Sequence, residues 1–175
     1  MFCGSETNGG QHVPLDSDVT PQGTVVGARK RERKVLIQAS VENERERHRV
    51  VLTTSGKAHS IAISPGPAGS GSLTNGGELL CLALATCYCN DIYREARKRA
   101  IEVIGVEVHA QAEFEDPGAP ASALSYRATV LAQVPEDQIR DLIMHTDSVA
   151  EVQNTLRRGM PVRLESFEAV SIDGP

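Results

Sequence analysis

The 175-residue chain contains no tryptophan, and aromatic residues make up only 3% of it. That scarcity removes the stacking platforms on which single-stranded nucleic acids are usually bound. Basic residues are not in excess either: 18 Lys and Arg stand against 23 Asp and Glu, for a formal net charge of −5. No polyanion-binding surface is expected, and no nucleic-acid partner is assigned. No apolar run approaches the roughly 20 residues of a membrane span, so no membrane partner is assigned. Met1-Phe2-Cys3-Gly4-Ser5 shows neither the charged nor the apolar region of a signal peptide. A cytoplasmic protein is the expectation, and its 4 cysteines should then stay mostly reduced.

What is present suggests one domain with an N-terminal extension. Residues 1–30 are rich in Gly, Ser, Thr, Asn, Asp and Pro without any period, which reads as a flexible N-terminal extension carrying Cys3. A basic run, Arg29-Lys30-Arg31-Glu32-Arg33-Lys34, leads into residues 31–175, the folded part. Three β-rich segments follow, at Val35–Val41, Arg49–Thr54 and His59–Ile63, separated by polar turns. They predict an antiparallel meander. The segment Ser64–Ser72 is a loop by its Pro, Gly and Ser content.

The most unusual stretch comes next: Gly77-Glu78-Leu79-Leu80-Cys81-Leu82-Ala83-Leu84-Ala85-Thr86-Cys87-Tyr88-Cys89. It predicts the apolar first half of a helix over about 77–99, whose second half turns amphipathic around Ile92, Ala96 and Ala100. A helix apolar all round is buried on every side. The expectation is therefore that it enters the core by its N-terminal half. A second copy of the chain would complete that burial, so a symmetric homodimer is the economical assembly. Two alternating strands follow around Val103–Phe114 and Leu124–Val134. A helix then opens at Pro135-Glu136-Asp137, breaks near His145-Thr146-Asp147, resumes and stops at Gly159. A last strand is predicted over Val162–Ile172. The order βββ-α-ββ-α(α)-β defines an α+β domain with antiparallel sheet.

Several chemistries are disfavoured by spacing. Cys87 and Cys89, two apart on a helix, point about 200° away from each other and cannot direct both sulfurs at one ion. The histidines are scattered. The glycines before the helix are not followed by the Gly-Lys-Ser/Thr of a phosphate loop. Neither a metal nor a cofactor is expected. Cys81 and Cys89 read as small buried hydrophobes. Cys87 reads either as the same or as a protected nucleophile.

Gly77-Glu78-Leu79-Leu80-x-x-Ala83-Leu84-Ala85-x-Cys87, the later Ala96-x-Lys98-Arg99-x-Ile101, and the element order resemble the OsmC/Ohr family of osmotically inducible and organic-hydroperoxide-resistance proteins. The resemblance covers about residues 33–173. It implies an intertwined homodimer with antiparallel sheets wrapped around central helices and sites at the subunit interface. It also implies a peroxiredoxin-like thiol peroxidase activity on organic hydroperoxides. By the same resemblance Cys87 matches the attacking cysteine, an arginine of the first hairpin (Arg47, with Arg45 and Arg49 open as alternatives) steadies its thiolate, and Glu78 orients the arginine.

This chain departs from the family pattern at two places. The second, resolving cysteine is expected within Arg157-Arg158-Gly159-Met160-Pro161-Val162, where Met160 stands. A thioether cannot resolve a sulfenic acid by forming a disulfide. The family's glutamate usually falls one residue earlier, where this chain has Gly77. Two functions remain open. One is an enzyme using Cys87 alone with an external thiol reductant. The other is a non-catalytic dimeric protein that binds a small molecule.

Overall fold

The structure is a computed structural model, and it describes residues 34–44 and 47–171. The extension expected over 1–30, Cys3 and Arg45 lie outside the described residues.

The first sheet is the expected meander. Strands β1 (Ile37–Glu44), β2 (Arg47–Thr54) and β3 (Lys57–Ile61) pair antiparallel in the order β1-β2-β3. Val41 lies opposite Val50, and Leu52 lies opposite His59. Ser55 and Gly56 join β2 to β3 with φ of 48° and 81°. Positive φ at both positions matches the right-handed twist of the flanking strands. Asn43 ties this sheet to the following loop: its Oδ1 accepts from Gly71 N–H at 3.0 Å. Ser72 Oγ meets His48 Nε2 at 2.9 Å.

Helix α1 spans Gly76–Lys98. Asn75 caps it: its side chain accepts from Glu78 N–H at 2.9 Å, and Glu78 Oε2 accepts from Asn75 N–H at 2.8 Å. Two orphan donors of the first turn are satisfied reciprocally. At the other end Ile101 N–H reaches Ala96 O and Ala100 N–H reaches Arg97 O, the Schellman arrangement. It places Ala100 in the left-handed region at φ 53°.

Strands β4 (Val103–Phe114) and β5 (Ala121–Ala132) form a long antiparallel hairpin, separate from the first sheet. Helix α2 (Glu136–Val149) and helix α3 (Glu151–Arg157) follow. The break between them falls at Ala150, later than the sequence suggested. Thr146 and Asp147 do not recap a helix: Thr146 Oγ1 donates to Leu142 O inside α2, and the Asp147 carboxylate pairs with Tyr126 and Arg157. Gly159, at φ 61°, ends α3 as expected.

The core lies between α1, the β4–β5 hairpin and α2. Tyr88, Ile92, Ala96, Leu142 and Ala150 are buried together, with Val106, Val108, Tyr126, Ala128 and Val130 packed against them. This reverses one expectation. The second half of α1 enters the core, and the first half is only partly covered, with Leu82 57% exposed. The reason is topological. The strands do not form one sheet over the helix, and of them only β4 packs broadly on it. The predicted last strand is also absent among the described residues. Residues 161–171 make no ladder, and Val162 is 97% exposed. Its alternation of apolar side chains states that one face needs cover, and among the described residues that face pairs with no strand and stays exposed.

Candidate functional site

Cys87, Asp91 and Arg94 stand four and three residues apart on α1, so they share one face of the helix. Helical conformation breaks at Ala150, which is fully buried, and the start of α3 comes to the Cys87 face of α1. Cys87 Sγ donates to Asp91 Oδ2 at 3.5 Å, and the nearby Val152 backbone N–H favours the thiolate. The Arg94 guanidinium contacts Asp91 Oδ1 at 2.6 Å, Glu95 Oε1 at 2.9 Å and Glu151 Oε1 at 3.0 Å. One cation therefore serves three carboxylates.

The electrostatics follow from this crowding. Burial pushes the Cys87 thiol up, the Val152 N–H opposes that, and Asp91 and Glu151 push it further up. The resting group is a protonated thiol with a carboxylate already in hydrogen-bond contact. Asp91 is raised above the ordinary carboxylate range by burial and then by Glu151, with Arg94 pulling the other way. Glu151 is pushed up by burial, but its own backbone N–H and Arg94 outweigh that and hold it low. Of two carboxylates sharing a site, the more buried one is the better proton acceptor.

Cys87, Asp91 and Glu151 also offer three ligand atoms within 4.8 Å of one another. The number and type suit a divalent ion, but the Arg94 guanidinium already neutralises both carboxylates at 2.6 and 3.0 Å. The residues do not fit a metal.

The other sequence candidates are placed elsewhere. Glu78 is engaged at the helix start in the capping box, nine residues before Cys87. Arg47 is exposed at the start of β2, and its guanidinium makes no ion pair among the described residues. Arg49 pairs with Glu42 at 3.4 Å on the sheet surface. A Cβ on Gly77 would come within 3.2 Å of both the Phe114 ring and Asn75 Oδ1. The close approach of that ring fits a chain that carries its first-turn acid at 78 instead. Cys81 and Cys89 are half-buried on other faces of α1. Met160 lines an open groove of about 320 Å³ together with Val149, Glu151, Asn154, Thr155 and Arg158.

Asp91, Arg94 and Glu151 were not singled out from sequence. The 87/91/94 spacing held a usable signal for the first two. Glu151 had none, because it arrives from 60 residues away through the break at Ala150.

The OsmC-like protein family model matches residues 69–165. Among solved structures, an OsmC-like protein from Mycoplasma pneumoniae is 16% identical at a TM-score of 0.49, over 72% of this chain and 89% of that one. A putative organic hydroperoxide resistance protein from Vibrio cholerae is 20% identical at a TM-score of 0.48, over 74% and 90%. An organic hydroperoxide resistance protein from Legionella pneumophila is 18% identical at a TM-score of 0.45, over 73% and 92%. At this distance the likenesses say nothing of chemistry. No curated protein matches the chain. No helix among the described residues is long and apolar enough to cross a membrane. The motif that runs from Gly77 to Cys87, the α+β architecture and a match over more than half of the chain lead to one conclusion: this chain belongs to the OsmC-like protein family.

Proposed function

We propose that the protein reduces organic hydroperoxides with Cys87 as its only reacting cysteine, in the cytoplasm, with an external thiol as reductant. The observation that carries this reading is the contact between the Cys87 thiol and Asp91 Oδ2 at 3.5 Å. Only a thiolate is a competent nucleophile, and a positioned base can form one at the moment of attack. Asp91 takes the proton from Sγ. The sulfur attacks the terminal peroxide oxygen, the O–O bond breaks, and the departing alkoxide takes a proton to leave as alcohol. Cys87 is then a sulfenic acid. One external thiol displaces water from it to give a mixed disulfide. A second releases the Cys87 thiol and leaves the external pair oxidised. Met160 in place of a second cysteine supports an external reductant.

The proposal includes a homodimer. Support comes from apolar side chains left exposed in one chain: Ile37 and Val41 of β1, Leu82 of α1, and Val162, Leu164 and Phe167 beyond α3. Such an extent of exposed apolar surface marks an interaction site. In the dimer the exposed Arg47 joins the site as a second guanidinium, and Glu78 contributes by fixing the start of α1. Light scattering at micromolar concentration should report twice the chain mass. A monomer would remove the dimer from the proposal.

The protonated resting thiol favours one second reading, a non-catalytic protein that binds a small molecule beside Cys87. The two separate cleanly. Under the peroxidase reading, the protein with dithiothreitol consumes cumene hydroperoxide, Cys87→Ser loses that activity, and dimedone traps a sulfenic acid on Cys87 alone. If the wild type consumes no more peroxide than a protein-free control with any common reductant, the peroxidase reading fails.

A further inference from the structure

The proposed peroxide step needs Asp91 to accept a proton while standing next to another carboxylate. Two negative groups at that distance hinder each other's ionisation and that of the thiol. Something must hold both and offset their charge. We infer that Arg94 does this: it is a positioning residue of the Cys87 site, clamping Asp91 of α1 and Glu151 of α3 against the thiol. The inference rests on the reading of Cys87 as a nucleophile, and it concerns how that nucleophile is made ready.

The geometry is specific. The same nitrogen, Arg94 Nη1, lies 2.6 Å from Asp91 Oδ1 and 3.0 Å from Glu151 Oε1. Both carboxylates lie within 4.8 Å of Cys87 Sγ. The Arg94 Nε is occupied separately by Glu95 at 2.9 Å. Glu95 is in turn held by Lys98 at 2.7 Å and by His145 of α2 at 3.3 Å. The guanidinium fork is thus used from two sides: Nε fixes its plane against Glu95, and Nη1 spans the two carboxylates beside the thiol. A lysine, as a point charge, cannot hold that plane. The groups that face the thiol are Asp91 and Glu151. Arg94 stands behind them, with Glu95, Lys98 and His145 behind Arg94.

The experiment measures the thiol directly. Full-length protein is alkylated with iodoacetamide between pH 6 and pH 10, and the rate at Cys87 is followed by peptide mass spectrometry, with Cys89 as internal control. Arg94→Gln leaves two uncompensated carboxylates, so the Cys87 midpoint should rise by about 1 pH unit and the rate at neutral pH should fall about tenfold. Cys89 should not change. Arg94→Lys should fall between wild type and Arg94→Gln. Glu151→Gln changes an exposed side chain and is expected to fold. By removing one negative charge it should move the Cys87 midpoint down. Circular dichroism checks that each variant is folded, and if Arg94→Gln is not, Glu151→Gln and Arg94→Lys decide. A Cys87 profile that stays on the wild-type curve in the folded variants overturns the inference. So does a shift of Cys89 equal to that of Cys87. Peroxide turnover is read separately. A shifted profile without turnover sinks the peroxidase reading and keeps the role of Arg94. Turnover with an unshifted profile does the reverse.

Discussion

Acid should destabilise this protein through one carboxylate more than any other, and that carboxylate is Glu95. It is 2% exposed, yet it stays ionised because Lys98, Arg94 and His145 all reach it. Hydrogen bonds from Lys98 and then Arg94 outweigh burial and lower its pKa from 4.5 to about 2. A carboxyl whose pKa is lower folded than unfolded contributes stability that is fully present above the unfolded value. That stability drains away as pH falls through the folded one. The window is therefore from about pH 4.5 down to about pH 2. At roughly 1.4 kcal/mol per unit, the full difference corresponds to about 3 kcal/mol. The Lys98 side chain is 62% exposed, and solvent screening of that partner reduces the contribution to on the order of 1–2 kcal/mol. Glu95→Gln should lose this amount at pH 7 and lose little further on acidification. Urea unfolding followed by circular dichroism at pH 7, 5, 4, 3 and 2.5 gives both curves. They should be apart at neutral pH and converge towards pH 2. Parallel curves across the whole range would refute the assignment of the acid transition to Glu95.

Three further outcomes follow from the packing and the helix ends. Leu142 is fully buried against Tyr88, Ile92 and Ala96. Leu142→Ala should cost about 2–5 kcal/mol in urea unfolding, and a loss below about 1 kcal/mol would mean that the core is not centred there. Ala100 holds a left-handed conformation at φ 53°, so Ala100→Gly should stabilise by about 0.5–1 kcal/mol after the greater freedom of glycine in the unfolded chain is counted; a lower melting temperature would contradict the helix stop described above. Asn75→Ala removes one half of the capping box at the start of α1 and should cost about 1 kcal/mol, read from the thermal midpoint.

Local chemistry was largely readable from the sequence. The meander, the paired strands β4 and β5, the helix with its acid at 78, and the stop at Gly159 all follow from short-range rules: alternation, turn residues and capping. The family motif ending at Cys87 belongs to the same category, because it is a pattern within one helix. The break before α3 was placed too early because Thr146 and Asp147 resemble a helix start, whereas Thr146 bonds back to Leu142 within α2 and tertiary partners claim Asp147. The burial of α1 was reversed for a related reason. An apolar composition states that a surface needs cover, but not which surface of the fold supplies it.

By itself, then, the sequence determined most of the elements and the family, and it singled out Cys87 as the candidate thiol, since each is encoded in residues near one another along the chain. Only the tertiary structure decided what stands beside that thiol. The fold carries Glu151 and the Val152 N–H onto the face of α1 that holds Cys87, Asp91 and Arg94, and it leaves Arg47 on an exposed strand. Whether a thiol is charged depends on fields that act over a few ångströms, and which groups come that close is settled by packing.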